Sequence, residues 1–454
     1  MAVHGRGDVS ELVYLGLYAL QHRGQEGTGM VTHNGQKTRI VRGLGLVSDT
    51  LTPRARAKIP GYMGIGHVRY ATTGKATKLR NVQPILVDYR GGKLAVAHNG
   101  NFVNAGELRG KLEKTGSIFQ TTTDSEILLH LVARSRKQGL VPAVIETLRQ
   151  IEGACTLVAM DEELIIGYRD PLGFRPLSIG ELDGMSILAS ETCALDIIGA
   201  RHVRDLEPGE MVVLDGKGVK TEANLGPARS PALCIFEQIY FARPDSRLFG
   251  ESVNAVRRRL GQLLAARHPA DADGVISVPD SSNSAALGYA EASGIPYELG
   301  LIRNHYVGRT FIQPEPASRT DSVKIKFNPV RELLEGKRMV VVDDSIVRGT
   351  TSRKLVELLF EAGAREIHFR VSSPPITGPC YYGIDTPSRG ELIAARQGVE
   401  AIRRFIGATT LGFLTEEDLC AAVRKPDAYC MACFTGAYPT RVPEEARTLL
   451  FDKD

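Results

Sequence analysis

The sequence predicts two successive domains, an α+β domain followed by an α/β domain with a parallel sheet. Three observations support this prediction: 454 residues exceed what one ordinary core holds, the first half is rich in short strand-like runs, and the second half alternates apolar runs with helical segments. Residues 224–231 combine helix breakers with small polar residues, which is the strongest linker signal in the chain. The predicted domains are therefore residues 1–225 and 232–454.

Short apolar runs bounded by turn residues predict the strands of the first domain. They cover residues 38–41, 63–68, 94–97, 156–160, 164–167 and 211–214. Apolar residues at helical spacing predict a helix over residues 11–20 that stops near Gly24, and further helices are expected near residues 105–114 and 125–135. We therefore expect a strand-rich domain with a few covering helices.

The second half has the strand–helix–strand order of a parallel sheet. Strands are predicted at residues 274–278, 338–342 and 367–371, with helices at 285–292 and 352–361. Gly294 and Gly363 stand where helix C-caps are expected, and Pro296 supports a stop after the first of these helices.

The composition excludes several classes of protein. Apolar residues make up 43% and charged residues 24%, as in an ordinary globular chain. The net charge of +4 is small, and no basic block with interleaved aromatic residues indicates a nucleic-acid groove. Seven cysteines without a signal-peptide-like start favour a reducing compartment, and no apolar stretch approaches the ~20 residues that cross a bilayer. We expect a cytoplasmic protein that binds neither nucleic acid nor a membrane.

A turn after the predicted strand 338–342 has the composition of a polyanion site. Backbone amides at the start of the next helix favour a phosphate, Gly349 allows close approach, and two adjacent carboxylates suit sugar hydroxyls or a Mg²⁺ ion that bridges a diphosphate. Alternatively, the acids only solubilise the strand end and the hydroxyl residues only cap the helix. The candidate residues are Asp343, Asp344, Ser345, Arg348, Gly349, Thr350 and Thr351.

Two further segments are candidates for the same site. Residues 278–284 follow another strand, so Ser281 opens at the same edge of the sheet, although an N-cap cluster explains this segment equally well. A basic segment that contains a glycine has about the length of a lid, and a solvated loop is its alternative interpretation. The candidate lid residues are Arg303, Tyr306, Arg309, Lys324 and Lys326.

Sequence motifs in both halves resemble a known family. Residues 343–351 resemble the phosphoribosyl-diphosphate loop of type I phosphoribosyltransferases. Residues 20–26, 66–72, 97–101 and 123–126 look like segments of the N-terminal-nucleophile glutaminase domain, which implies an αββα sandwich. Together they resemble the amidophosphoribosyltransferases over nearly the whole chain. The resemblance implies that ammonia from glutamine displaces diphosphate from phosphoribosyl diphosphate, giving 5-phosphoribosylamine, the first committed step of purine (IMP) synthesis.

The resemblance also implies roles for residues of the first domain. Arg69 would bind the glutamine α-carboxylate, Asp124 its α-ammonium group, and Thr72 would add a hydrogen bond. Asn99 and Gly100 would form the oxyanion hole. Taken alone, Arg69 is an ordinary surface cation and Asn99-Gly100 a hairpin turn.

The nucleophile that the resemblance implies is absent from this sequence. It would be a cysteine at the mature N-terminus, with its own amino group as base. The chain begins Met1-Ala-Val-His-Gly, and no cysteine precedes Cys155. We expect the cysteine just before Met1 in a longer chain; the alternative is a protein that has lost glutaminase activity and uses free ammonia. A catalytically silent sensor of phosphoribosyl diphosphate or nucleotides is a further alternative.

Four cysteines of the second half form a candidate metal set. Cys430 and Cys433 have metal-ligand spacing, which alone indicates zinc, redox chemistry or nothing. The resemblance is to the subgroup that carries a 4Fe-4S iron-sulfur cluster, and it implies Cys234, Cys380, Cys430 and Cys433 as ligands. Buried thiols without a metal are the alternative. The resemblance further implies Mg²⁺, a homotetramer, and purine nucleotides as feedback inhibitors.

Overall fold

The computed structural model describes residues 1–70, 78–226, 230–304 and 325–442. Its first part consists of strands with a few helices between them. The strands are β1 Ala2–His4, β2 Gly27–His33, β3 Thr38–Leu44, β4 Met63–Arg69, β5 Ile85–Tyr89, β6 Gly92–Phe102, β7 Gly153–Met160, β8 Ile165–Arg169, β9 Ser178–Leu182, β10 Met185–Ala189, β11 Arg201–Asp205, β12 Glu210–Leu214 and β13 Val219–Asn224. The helices are α1 Ser10–Ala19, α2 Val47–Thr50, α3 Pro53–Arg56, α4 Ala105–Lys114, α5 Ser125–Arg134, α6 Leu140–Leu148 and α7 Cys193–Asp196.

These strands form two antiparallel sheets that pack face to face. One has seven strands in the order β11-β9-β10-β1-β4-β2-β3, and the other has six in the order β13-β12-β8-β7-β6-β5. Because side chains alternate along each strand, one set from each sheet, including Val31, Ile65 and Val158, fills the space between the sheets. The opposite sets pack under α1 on one side and under α4, α5 and α6 on the other. The predicted αββα sandwich is confirmed.

Glycine allows α1 to lie close to the seven-stranded sheet. A Cβ atom at Gly66 on β4 would lie 2.6 Å from Leu17 Cδ1 and 2.8 Å from Val13 Cγ1. Any larger residue at this position would push the helix outward. The close contact fixes α1 against the strand that ends at Arg69.

The second part of the chain is built around a parallel sheet. Its strands are β14 Leu233–Cys234, β15 Arg247–Leu248, β16 Glu251–Ser252, β17 Gly274–Ser277, β18 Leu301–Arg303, β19 Phe327–Pro329, β20 Arg338–Asp343, β21 Glu366–Val371, β22 Thr410–Phe413 and β23 Tyr429–Cys430. Its helices are α8 Val253–Arg267, α9 Asn283–Ser293, α10 Arg331–Leu334, α11 Thr350–Glu361, α12 Val399–Ile406, α13 Glu416–Ala422 and α14 Ala432–Thr435, with a π-helix at Glu237–Phe241. The sheet has four parallel strands in the order β17-β20-β21-β22.

Helices cover both faces of this sheet, and the central strand β20 is accordingly apolar and buried from Met339 to Val342. Val340 and Val342 face one core that includes α8 and α9, while Met339 and Val341 face the other, which includes α11 and α12. Ser277 pairs with Val342, so the segments that follow β17 and β20 leave the sheet side by side. This arrangement places the two predicted loops together.

The predicted elements agree with the observed ones where the apolar pattern is long. The helices predicted at 105–114 and 125–135 are α4 and α5, and those at 285–292 and 352–361 are α9 and α11. Gly294 adopts the expected left-handed cap with a φ of 73°. Several strands and the long helix α8 had not been predicted. The boundary between residues 225 and 232 stays a prediction. In the ranges described, no helix is sufficiently long and apolar to cross a membrane.

Candidate functional site

The loop after β20 forms an acidic pocket with the loop after β17. Asp344 is buried, and its carboxylate accepts hydrogen bonds of 2.6 Å from both the Ser281 and the Ser345 hydroxyl groups. Asp343 accepts from its neighbour's backbone amide at 2.9 Å and from the Ser282 hydroxyl group at 3.4 Å. The structure therefore brings Ser281 to the acidic pair, as the parallel order of the strands predicts.

This acidic pair is placed where a cation would stabilise it. Burial, followed by the charge of Asp344, raises the pKa of Asp343 well above its ordinary value. Burial also raises the pKa of Asp344, although hydrogen bonds from Ser281 and Ser345 and the charge of Arg257 oppose that effect. Two carboxylates and a hydroxyl oxygen are ligands that suit Mg²⁺. In the part of the chain that the structure describes, no three His, Cys, Asp or Glu residues are arranged as an assembled metal site.

The helix after the acidic pair begins without a side-chain cap. Gly349 is the N-cap residue, with a φ of 77°, and no described side chain accepts a hydrogen bond from the first amides of α11. Thr350 begins the helix, so the interpretation that hydroxyl residues cap it is wrong for this end. The amides remain open to an anion. Arg348 points outward and pairs with Glu391 at 2.9 Å.

The two ends of the predicted lid, Arg303 and Lys326, are among the described residues. Arg303 ends β18 and donates to the Asp280 carboxylate at 2.5 Å. Lys326 lies over the Phe327 ring, and its charge lowers the pKa of Asp343, which opposes the effect of burial. Antiparallel pairing of β18 with β19 holds these ends together beside the acidic pair. Tyr306, Arg309 and Lys324 lie outside the described residues.

A second cavity lies at the ends of β4 and β6 in the first domain. Arg69 and Asp124 are both buried and line it, as do Asn99 and Gly100. The Asp124 carboxylate accepts from the Phe102 amide at 3.0 Å, which fixes it beside the strand that carries Asn99 and Gly100. Four of the predicted glutamine-site residues thus meet in one cavity. Thr72, the fifth, lies outside the described residues.

Two histidines that the sequence analysis did not single out lie in this cavity wall. His67 lies two residues before the predicted Arg69 on β4, and its Nδ1 atom is buried without a hydrogen-bond partner among the described residues. Burial, followed by nearby positive charge, lowers the pKa of His67 to about 3, so it is neutral. His98 bonds through its ring to the Ser125 hydroxyl group and the Ala154 carbonyl oxygen.

Met1 lines the same cavity. Its nitrogen donates to the Gly66 carbonyl oxygen at 2.9 Å, and its own carbonyl oxygen accepts from the Gly66 amide at 2.8 Å. The Met1 side chain packs against Gly16 of α1. No cysteine lines the cavity within the described ranges. Cys155 pairs with Gly100 on the next strand, but its side chain belongs to the core on the far side, where burial raises its pKa well above normal.

Comparisons with known proteins show the family to which this chain belongs. A family model described as a glutamine amidotransferase domain matches residues 67–196. Amidophosphoribosyltransferase 1, chloroplastic, of Arabidopsis thaliana is 50% identical over 447 residues, which cover 98% of this chain and 79% of the relative. The amidophosphoribosyltransferase of Bacillus subtilis is 49% identical over 450 residues, covering 98% of this chain and 94% of the relative. The chain belongs to the amidophosphoribosyltransferase family.

A solved structure agrees with this membership over the whole fold. The B. subtilis glutamine phosphoribosylpyrophosphate amidotransferase, in complex with ADP and GMP, superposes with a TM-score of 0.92 at 48% identity and covers 98% of each chain. The two-domain architecture of this family member is therefore that of the amidophosphoribosyltransferases.

The four predicted cysteine ligands line one apolar cavity in this amidophosphoribosyltransferase. Cys234 on β14 lies beside Cys430 on the parallel strand β23. Cys380 and Cys433 line the same cavity, together with Phe174 and Tyr438. All four are free thiols. Burial raises the pKa of Cys234 and of Cys430 to about 12, and it raises the pKa of Cys433 well above its ordinary value. These three thiols are therefore protonated at neutral pH, and a metal would bind them only with loss of their protons.

A buried ion network joins the two domains of this amidophosphoribosyltransferase. Arg23 binds Glu191 at 2.6 Å and Glu237 at 2.7 Å, and Arg175 binds Glu237 at 2.8 Å. Three of these side chains come from the first domain, whereas Glu237 comes from the second. Arg23 also lines the first-domain cavity and lies over the ring of Phe241, which lines that cavity too. The sequence offered a sign of Arg23 only, since it lies in the motif of residues 20–26.

We expect Glu237→Gln to lower the free energy of unfolding by about 3–5 kcal/mol, because it leaves two buried guanidinium groups without part of their counter-charge. Urea denaturation followed by circular dichroism measures this. Glu400→Gln is the matched control, since Glu400 is 62% exposed and pairs with Arg403 at the surface, and we expect no measurable change in its free energy of unfolding. Equal small losses in the two variants would contradict the structural role of the network.

Proposed function

We propose that this protein forms 5-phosphoribosylamine and diphosphate from phosphoribosyl diphosphate and glutamine or ammonia, as the first committed step of purine (IMP) synthesis. The observation that supports this most directly is the loop after β20, where the buried Asp344 and the half-buried Asp343 adjoin a helix start without a side-chain cap. Anion donors and cation ligands a few residues apart fit a sugar diphosphate better than either group alone.

Each part of the loop has a chemical role in this proposal. The amides of Gly349, Thr350 and Thr351, with the hydroxyl groups of Ser345 and the two threonines, would hold the 5-phosphate. Asp343 and Asp344 would accept from the ribose hydroxyl groups. Mg²⁺, held by these two acids and Ser281, would neutralise charge on the leaving diphosphate. Arg348 is proposed to contribute its backbone amide, since its side chain pairs with Glu391.

The lid would act after the substrate binds. Arg303, Tyr306, Arg309, Lys324 and Lys326 would supply positive charge and hydrogen-bond donors to the diphosphate. Closing over the diphosphate would exclude water, so that ammonia rather than water attacks C1. The closeness of Lys326 to Asp343 supports this placement of the lid.

Asp343→Ala should lower the rate of phosphoribosyl-diphosphate consumption with ammonium as donor by at least about 100-fold, because a cation ligand and a ribose acceptor are both lost. Release of diphosphate measures turnover. Asp271→Ala in the same domain is the control, since Asp271 is 88% exposed, and it should retain wild-type activity. Phosphoribosyl diphosphate that binds to the wild type without any turnover would favour the silent sensor instead.

The first-domain cavity is proposed to bind glutamine. Arg69 would pair with the α-carboxylate, Asp124 with the α-ammonium group, and Thr72 would add a hydrogen bond. Asn99 and Gly100 would supply donors to the tetrahedral oxyanion. We place the nucleophile position at residue 1, because Met1 is paired with Gly66 through both of its backbone groups at the cavity. A thioether has no proton to lose and forms no acyl intermediate, so methionine here supports ammonia rather than glutamine as donor.

A Met1→Cys protein, released from a cleavable leader so that Cys is its first residue, should gain glutamine hydrolysis. The expected rate exceeds that of the wild type by at least about 10³-fold, since nucleophile loss in comparable enzymes lowers the rate by about 10⁶. Glutamate release measures the gain. Met1→Ala, prepared in the same way, is the control and should stay inactive. Without a difference between the two proteins, residue 1 is not the nucleophile position.

The four cysteines are proposed to hold a 4Fe-4S iron-sulfur cluster. The donor set fits, because four free thiols line a single apolar cavity and soft thiolates bind iron. Such a cluster would tie the strand pair β14 and β23 to the segment that contains Cys380. Zinc is the other metal that suits four thiolates.

After anaerobic reconstitution with iron and sulfide, the wild type should carry about four iron atoms per chain. Metal analysis measures the iron content, and visible absorption from thiolate-to-iron charge transfer reports the cluster. Cys430→Ser should lose most of the iron, whereas Cys420→Ser, whose side chain lies on α13 outside the cavity, should keep it. Equal iron contents in these two variants would exclude the proposed ligand set, and zinc in the purified wild type would identify the other metal.

The remaining proposals concern assembly and control. The ADP and GMP held by the solved B. subtilis relative support purine nucleotides as feedback inhibitors of this protein. A homotetramer and a cytoplasmic location are proposed on the same family resemblance.

A further inference from the structure

A loop of the second domain forms part of the glutamine cavity wall. The segment from Cys380 to Ile384, here named the wall loop, lies between the cysteine group and the first domain. Gly383 of this loop lines the cavity together with Asn99 and Gly100. The sequence motifs that point to glutamine binding all lie in the first domain, so this contribution from the second is additional to them.

The closest contact of the wall loop is with the oxyanion glycine itself. Gly383 has a φ of +94°, and a Cβ atom built on it would lie 2.9 Å from the Cα and carbonyl carbon atoms of Gly100. On its other side Gly100 packs against its neighbouring strand, where a Cβ atom would lie 2.2 Å from the Ala154 carbonyl oxygen. The peptide at Gly100 is thus held between two backbones with room for neither side chain.

Two hydrogen bonds hold the wall loop in this position. The Asn101 side-chain amide donates to the Tyr381 carbonyl oxygen at 3.0 Å, one residue after Gly100 on the same strand. The Arg175 guanidinium donates to the Tyr382 carbonyl oxygen at 3.1 Å and also pairs with Glu237. The two successive carbonyl groups that precede Gly383 are therefore both tied to side chains of the first domain.

We propose that Gly383 and Asn101 are positioning residues for glutamine hydrolysis, which fix the oxyanion-hole peptide at Gly100 from the second domain. This inference rests on the proposed glutamine cavity and names what holds its oxyanion donors in place. An oxyanion hole is effective only when its donors are already oriented before charge develops. Gly100 has a φ of 144°, a backbone conformation that residues with side chains rarely adopt. Strand β7 restrains its peptide from one side, and the wall loop restrains it from the other.

The role predicts separate effects on binding and turnover. Arg69 and Asp124, which would hold the two ends of the amino acid, are not the residues that the wall loop is proposed to position, so substrate affinity should change little. The donors at Asn99 and Gly100 act mainly on the transition state, and displacing them should lower kcat. A residue with only a general structural role would instead lower stability and impair both parameters together.

The first test measures deuterium exchange in proteins that keep Met1. In Gly383→Ala and in Asn101→Ala, the amides of residues 97–102 should exchange at least about three times faster than in the wild type, because local opening becomes easier. Gly398→Ala is the matched control, since Gly398 has a φ of −72° and open space around its Cα. Thermal unfolding reports whether each variant is folded. If Gly383→Ala fails to fold, Asn101→Ala decides, and unchanged exchange in the folded variants overturns the proposal.

The second test uses the Met1→Cys protein. Adding Gly383→Ala or Asn101→Ala should lower kcat for glutamine hydrolysis at least about tenfold while KM for glutamine changes less than about threefold. A raised KM with unchanged kcat overturns the positioning role. If Met1→Cys itself hydrolyses no glutamine, the proposed nucleophile position fails, and the exchange experiment still decides whether the wall loop holds Gly100.

Discussion

The buried ion network between the domains is the interaction on which the glutamine cavity depends. Arg23, Arg175, Glu191 and Glu237 are almost completely removed from water. Isolated charges in such a place cost several kcal/mol each, and the cost is offset only when every charge has close partners. Burial would raise the pKa of Glu191, but the charges of His22 and Arg23 hold it below its ordinary value. The network therefore forms completely or hardly at all, and it fixes the relative position of the two domains.

This fixed position explains how second-domain residues reach a first-domain site. Phe241 follows Glu237 on the π-helix and lines the cavity, and Gly383 reaches it through the wall loop that Arg175 holds. π-Helical turns are uncommon and are frequent at functional sites. The glutamine cavity is thus a joint product of both domains, although its recognisable motifs lie in the first.

The sequence predicted what depends on local pattern. The strand, acidic pair and helix from residue 338 to residue 361 could be recognised because each element follows the previous one directly. In contrast, β1 is three residues long, too short for its apolar pattern to predict a strand, and it forms because β4 and β10 pair with it on both sides. The role of Gly383 could not be predicted from sequence, because it depends on contact with Gly100. These two residues are 283 positions apart, and only the folded chain brings them close.

At residue 1, the fold determines the position of the backbone, whereas the side chain determines the chemistry that is possible there. Pairing with Gly66 and packing against α1 set the backbone of Met1, and neither contact requires a particular side chain beyond one that fits over Gly16. Arg69 lies on β4, Asn99 and Gly100 lie on β6, and Asp124 precedes α5, so none of their positions is set by the side chain of residue 1. The framework of the cavity can therefore be complete whichever side chain stands there. If residue 1 is the nucleophile position, as proposed, its side chain decides whether glutamine or free ammonia is the nitrogen donor, because a thiol can attack an amide and a thioether cannot.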